Sequence, residues 1–159
     1  MTTRPIMAID PGTRQSGVAW LASDGKSVMA SSVLDNENVL KLIASNAESG
    51  LCRVAIEMVA SYGMAVGKEV FRTVWWTGRF ADRWFLLTRR MPLEIFRKEV
   101  KLHLCQTPRA KDANIRQALI DKLGPPGKKA EPGPTYGVKS HAWAALGVAV
   151  TAAETRLAA

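Results

Sequence analysis

Residues 6–20 read Ile6-Met7-Ala8-Ile9-Asp10-Pro11-Gly12-Thr13-Arg14-Gln15-Ser16-Gly17-Val18-Ala19-Trp20. The apolar run that ends at Asp10 predicts a buried strand over 5–10. The turn-forming residues 11–17 predict a loop, and the next apolar run predicts a second strand over 18–22. A carboxylate at the end of a buried strand raises the free energy of the folded state unless another group neutralises its charge. We therefore expect Asp10 to have such a partner.

Further strands and helices follow along the chain. A turn signal at Asp24-Gly25 precedes a third strand over 28–34, so the chain starts as a three-stranded antiparallel meander. A fourth strand over 52–57 also ends in a carboxylate, Glu57, and a fifth strand is predicted over 93–96. Helices are predicted over 35–49, 68–90, 97–105, 111–123 and 141–156, with Asp35 or Asn36 capping the first and Ser140 the last.

Composition places the chain among ordinary soluble proteins. It has 159 residues, 47% hydrophobic and 23% charged, which predicts a single α/β domain over residues 1–159. Segment 124–139 is rich in Gly and Pro and long for a compact domain, so we expect a mobile loop whose Lys128 and Lys129 could contact DNA. The two cysteines, Cys52 and Cys105, read as reduced thiols. We expect a cytoplasmic protein without a membrane span.

The charge balance points to an anionic partner. The sequence has 22 Lys+Arg and 14 Asp+Glu, a formal net charge of +8. Such an excess is typical of proteins that bind nucleic acid or an acidic membrane surface.

The two strand-end carboxylates are the candidate chemistry. If the first and fourth strands are neighbours in a mixed sheet, Asp10 and Glu57 point to one place. Converging carboxylates suit Mg²⁺ or Mn²⁺, and such a site on a basic protein favours phosphodiester hydrolysis. Alternatively, each acid is a strand-end cap or a salt-bridge partner.

Several segments resemble RuvC-type Holliday junction resolvases over nearly the whole chain. The stretch from Ile9 to Trp20 resembles the first acidic motif of that family, and 54–57 resembles its second acidic strand. Segments 97–101 and 111–116 resemble its basic helical region, and 140–149 resembles its final helix. The resemblance implies an RNase H-like fold with strand order 3-2-1-4-5, helices on both faces and a homodimer. It also implies cleavage of branched DNA with two Mg²⁺ ions, for which Mn²⁺ can substitute.

The resemblance also implies a third site residue and exposes a departure. Asp10 and Glu57 would hold the metal, and His141 would be the third ligand or the proton-transfer group. The family usually carries two acids on the final helix, three residues apart, and this chain has His141 and Ala144 at the matching positions. The site then works with three residues, or the enzyme is disabled, natively or by engineering. His141 could also be merely the first residue of a helix capped by Ser140.

Basic and aromatic residues are the candidate DNA contacts. The resemblance places Lys101 and Lys111 near the scissile phosphate, with Lys98, Arg109 and Arg116 as nearby helpers. Any of these could instead be a solvated helix residue. In the loop after Glu57 the family carries an aromatic wedge, which Ala60 replaces here. Tyr62, two residues on, could stack on a base instead.

Helix 68–90 carries two apolar stripes. One stripe would cover the sheet, and the other could form a dimer seam. The first set at helical spacing is Val70, Val74, Thr77 and Ala81, and the second is Phe71, Trp75, Gly78, Trp84 and Phe85.

Three other functions stay open at this point. The segment from Asp10 to Thr13 also resembles the phosphate loop of actin-like ATPases, but those proteins need two such lobes. A branched-DNA-binding protein with a degraded metal site, marked by Ala144, is a second possibility. A nuclease of the same fold with a broader target is a third. The short chain slightly favours a bacteriophage source over a bacterial one.

Overall fold

A computed structural model describes residues 4–157. Its main elements follow the predicted order β-β-β-α-β-α-β-α-α-α, and a short hairpin that the sequence did not predict lies before the last helix. The strands are β1 (Ile6–Asp10), β2 (Gln15–Leu21), β3 (Val28–Asp35), β4 (Arg53–Met58), β5 (Leu93–Phe96), β6 (Gly127–Lys128) and β7 (Glu131–Pro132). The helices are α1 (Asn36–Ser49), α2 (Lys68–Thr88), α3 (Arg97–Cys105), α4 (Asp112–Leu123) and α5 (His141–Arg156).

The central sheet has the order β3-β2-β1-β4-β5. Strands β1, β2 and β3 pair antiparallel, whereas β4 pairs parallel to both β1 and β5. The predicted mixed sheet and its strand order are therefore confirmed. Because β1, β4 and β5 run parallel, the carboxyl ends of all three meet at one edge, where ligands bind in open α/β sheets.

Helices cover both faces of the sheet, as predicted. Strand β1 is buried along its whole length because alternate side chains enter two different cores. Ile6 and Ala8 pack with α3, α4 and α5, whereas Met7 and Ile9 pack with α1 and α2. Its near-continuous apolar sequence follows from this burial on two faces. No helix within residues 4–157 is long and apolar enough to cross a membrane.

Three local expectations differ from the structure. Strand β2 begins at Gln15, not at residue 18, so the loop after Asp10 is short. Asp35 and Ser140 occupy N-cap positions, but neither side chain makes a capping hydrogen bond. Segment 124–139 contains the β6–β7 hairpin, and within it buried Thr135 donates its hydroxyl to the Gly124 carbonyl at 2.8 Å. The mobility of this segment stays a prediction.

A polar network fixes the loop that follows Asp10. The Gly12 N–H donates to the Ser16 hydroxyl, which donates to the Asn36 side-chain oxygen at 2.6 Å. The Asn36 amide in turn donates to the Gly12 carbonyl at 3.0 Å, which closes the network. Ser16 and Asn36 are buried, so these bonds satisfy groups that water cannot reach. The sequence suggests Asn36 only as a helix cap, but it holds the loop beside the Asp10 carboxylate.

Candidate active site

Asp10 and Glu57 lie side by side at the carboxyl edge of the sheet. Strands β1 and β4 pair in register up to Ile9 and Ile56, so the acid that follows each partner falls at the same level. Asp10 is 6% exposed and Glu57 4% exposed. The structure thus brings together the two carboxylates that the sequence singled out, in a place largely shielded from water.

This proximity changes the protonation of Glu57. Burial raises the pKa of the Glu57 carboxyl to about 7, and the charge of Asp10 acts in the same direction. The Arg97 guanidinium opposes both effects without cancelling them. Two buried carboxylates that repel each other form a site that gains free energy from a cation.

His141 contacts Asp10 from the start of α5. The two atoms Nδ1 of His141 and Oδ2 of Asp10 are 3.2 Å apart, and this hydrogen bond raises the pKa of the imidazole. The preceding residue, Ser140, has φ 47° and ψ −129°, a strained conformation for a residue with a side chain. Gly17 permits the close packing, because a Cβ atom there would lie 2.1 Å from the His141 carbonyl oxygen.

Arg97 and Asp112 belong to the same site, although neither was predicted as a site residue. Arg97, the first residue of α3, places Nη1 3.3 Å from Glu57 Oε1 and pairs through Nη2 with Asp112. Asp112 opens α4. One signal could have identified Arg97: it follows β5 directly, and β5 runs parallel to β4, so both strands deliver residues to the same edge. The position of Asp112 depends on how α4 packs, which no local pattern shows.

These side chains surround a pocket of about 330 Å³. Ala144, one turn into α5, also lines it, so the position without the expected acid does face the site. The complete lining consists of Asp10, Glu57, Arg97, Val100, Asp112, Ile115, Ser140, His141, Trp143 and Ala144.

Two solved structures share this architecture. Thermus thermophilus RuvC has a TM-score of 0.67 to this chain at 19% identity, over 94% of this chain and 93% of that one. The fold is that of RuvC. A second structure, T. thermophilus RuvC in complex with a Holliday junction substrate, gives a TM-score of 0.66 at 21% identity, with 94% and 93% coverage. The expected RNase H-like fold is therefore confirmed.

Comparison by sequence finds no further relatives. The sequence matches no protein-family model, and no curated protein matches it significantly. At the identities given above, the likeness to RuvC establishes the fold, and the roles of individual residues rest on the geometry of this chain.

The predicted DNA contacts fall into three groups on this RuvC fold. Lys98 lies over the exposed Tyr62 ring, with Nζ 5.0 Å from the ring centroid. Arg116 stacks on Trp143, which lines the pocket, at 5.1 Å. The remaining candidates belong to α3 and to the turn that leads into α4: Lys101 is half-buried, whereas Arg109 and Lys111 are exposed. The structure therefore brings Tyr62 and Lys98 together and places the other candidates around the α3–α4 rim.

The residues present fit a divalent cation of the Mg²⁺ type. Within residues 4–157, no group of three or more His, Cys, Asp or Glu side chains is arranged to hold a metal ion alone. Mg²⁺ does not require such a cage, because it binds through one or two carboxylates and completes its shell with waters and substrate phosphates. The two adjacent buried carboxylates, Asp10 and Glu57, meet this requirement.

Proposed function

We propose that this protein is a metal-dependent endonuclease that resolves Holliday junctions and other branched DNA. The observation that carries the proposal is the pair of buried carboxylates, Asp10 and Glu57, at the open edge of a RuvC fold. The net charge of +8 supplies the attraction for DNA, and one T. thermophilus RuvC structure holds a Holliday junction substrate.

Each residue of the site has a distinct task in this proposal. Asp10 and Glu57 would hold Mg²⁺ or Mn²⁺, and a pair of such ions is the arrangement typical of phosphodiester cleavage. A cation held by these two residues would supply activation of a water nucleophile and neutralisation of charge on the phosphate. His141 orients Asp10 through Nδ1, and its Nε2 is the atom suited to bind the cation or to move a proton.

The basic and aromatic residues would position the substrate. Lys101 and Lys111 would contact phosphates next to the cleaved bond, and Lys98, Arg109 and Arg116 would contact phosphates further away. Tyr62 would stack on a base at the branch point. We also propose that the chain works as a single domain, as a homodimer, and in the cytoplasm. A bacteriophage source stays a prediction.

A cleavage assay tests the proposal. A labelled four-way junction and a linear duplex of equal length are incubated with the protein in Mg²⁺, Mn²⁺ or EDTA. We expect cleavage of the junction in either metal, none in EDTA, and a loss of at least about a hundredfold for Asp10→Asn and Glu57→Gln. Cleavage that survives in EDTA, or that these two substitutions leave intact, would refute the proposal.

Ala144 supports a second candidate function, a branched-DNA-binding protein that does not cut. This residue lines the pocket where a further carboxylate would have room, and the chain lacks one there. Ala144→Asp separates the two candidates. If the protein is an enzyme as it stands, both forms cut, and the Asp form needs less Mg²⁺. If only Ala144→Asp cuts, the chain itself is a binding protein.

A further inference from the structure

Arg97 is a cation already present among the carboxylates of the proposed site. Its guanidinium lies 3.3 Å from Glu57 and pairs at the other side with Asp112. Both partners, together with Asp10, favour its positive charge. The side chain is 38% exposed, so one side of it faces the buried acids while the other reaches solvent.

The Arg97–Glu57 contact uses Oε1, one of the two carboxylate oxygens through which Glu57 would bind a metal ion. Glu57 is 4% exposed, and Arg97 is the ion-pair partner that the structure gives it. A divalent cation approaching Glu57 would meet a positive charge at contact distance, where the interaction is only weakly screened. The cation and the guanidinium therefore cannot both occupy the same side of this carboxylate.

We propose that Arg97 is an internal counter-ion that competes with the divalent cation for Glu57, and that Asp112 retains the guanidinium when the cation binds. This inference rests on the proposed function and adds a control on metal loading. Asp112 is suited to this role because its side chain is exposed. Pairing Arg97 with Asp112 therefore does not bury a further charge.

Competition of this kind links metal binding to DNA binding. A phosphate that reaches the pocket offers the guanidinium an alternative anion with matching geometry. Arg97 then releases Glu57 when substrate is present. The DNA-free protein would hold metal weakly, and the protein on a junction would hold it more tightly.

The test measures Mn²⁺ affinity of the DNA-free protein, by the electron paramagnetic resonance signal of unbound Mn²⁺. We expect Arg97→Gln to tighten binding by about tenfold, because a positive charge at contact distance has been removed. Arg83→Gln is the matched control. It removes the same charge from an exposed arginine of α2 that does not line the pocket, and it should change the affinity by less than about twofold.

Two further variants secure the interpretation. Adding Glu57→Gln to Arg97→Gln should abolish the gain in affinity, because the gain depends on that carboxylate. Arg97→Lys keeps the positive charge beside the buried acids, so it guards against loss of the fold. One ammonium group cannot bridge two carboxylates as the guanidinium does. Its Mn²⁺ affinity should lie between those of the wild type and Arg97→Gln.

The outcomes distinguish this inference from the proposed function. Equal Mn²⁺ affinities for Arg97→Gln and Arg83→Gln would overturn the role of Arg97, even if the wild type cuts junctions. Failure of every variant to bind Mn²⁺ would also overturn it. If the wild type does not cut junctions in Mg²⁺, but Arg97→Gln still binds Mn²⁺ more tightly than the wild type, Arg97 is a counter-ion in a protein that is not a nuclease.

Discussion

The Glu57 carboxyl is buried beside the Asp10 carboxylate, and its pKa is raised to about 7 from an ordinary value of 4.5. Between these two values the folded protein holds a proton that the unfolded chain releases. The contribution of Glu57 to stability is therefore lost as the pH rises through this range. In EDTA, we expect Glu57→Gln to raise the free energy of unfolding at pH 8 by roughly 2 to 3 kcal/mol, and much less at pH 4.5.

Chemical denaturation at the two pH values measures this difference. The exposed Glu131→Gln is the control, because it removes the same charge from the hairpin at the surface. If both variants show the same dependence on pH, burial does not control the protonation of Glu57.

Gly17 is the residue on which the position of His141 depends. A methyl group there would lie 2.1 Å from the His141 carbonyl oxygen and would push the start of α5 away from β2. We expect Gly17→Ala to lower the free energy of unfolding by roughly 2 to 3 kcal/mol. Junction cleavage should fall by about a hundredfold, because His141 leaves Asp10.

Gly67→Ala is the control for this substitution. Nothing lies within 4 Å of a Cβ atom built at Gly67, so the added methyl group meets open space. Thermal unfolding and cleavage rates are measured for both variants. Equal behaviour would show that the approach of α5 to β2 does not position His141.

At the residue scale, the sequence predicted the acids better than their partners. Asp10 and Glu57 were found because each ends an apolar run, a pattern visible in a few consecutive residues. Arg97 bridges Glu57, which lies 40 positions earlier in the chain, and Asp112, which lies 15 positions later. Such a bridge depends on how α3 and α4 pack, which hydrophobic periodicity does not encode.

Among the elements, the long regular ones were predicted better than the short irregular ones. Strands and long helices were predicted nearly in full because their periodicity spans many residues. The β6–β7 hairpin was not predicted, since its two strands have two residues each and no alternating pattern. The early start of β2 was missed because Gln15 and Ser16 are polar, although Ser16 is buried in the network with Asn36.

The loop between β4 and α2 is the element we expect to distinguish junctions from linear DNA. Tyr62 has a positive φ of 49°, its ring is exposed, and Lys98 contacts one face. Stacking on an unpaired base is worth about 1 to 3 kcal/mol. Tyr62→Ala should therefore weaken junction binding by about tenfold or more and duplex binding far less.

Titrations with a four-way junction and a duplex measure both affinities. The control is Tyr136→Ala, since Tyr136 is also exposed but lies in the segment that follows the β6–β7 hairpin. A uniform loss on both DNA forms would show that Tyr62 contributes only general contact area.

At the scale of the whole molecule, the strand order was predictable, whereas the association state is harder to predict from the sequence. The early meander predicted that β1, β2 and β3 are neighbours, and the resemblance to RuvC-type resolvases supplied the positions of β4 and β5. In the structure of a single copy, an interface with a second copy is visible only as an excess of exposed apolar surface. Helix α2 carries such an excess: Phe71 is 64% exposed and Trp75 51% exposed.

The exposed side of α2 has the spacing of a helix–helix contact. Phe71, Trp75, Gly78 and Phe85 follow one another at intervals of four, three and seven residues, which keeps them on one stripe. A Cβ atom placed on Gly78 would have no neighbour within 4 Å, so a second helix could approach closely there. The guanidinium groups of Arg72 and Arg79 lie 5.1 and 5.0 Å from the Trp75 ring centre and hold it in place.

A two-fold dimer through this stripe would match the symmetry of a four-way junction, whose two cleaved strands are also related by a two-fold axis. We expect the wild type to sediment as a dimer at micromolar concentration and the double substitution Phe71→Glu, Trp75→Glu to sediment as a monomer, since each carboxylate would be buried unpaired. The monomer should retain its fold but lose paired cuts on opposite strands. Met29→Glu is the control, because Met29 is equally exposed but lies on β3. A wild type that sediments as a monomer at all concentrations, yet still makes paired cuts, would refute the dimer and leave α2 without an assigned partner.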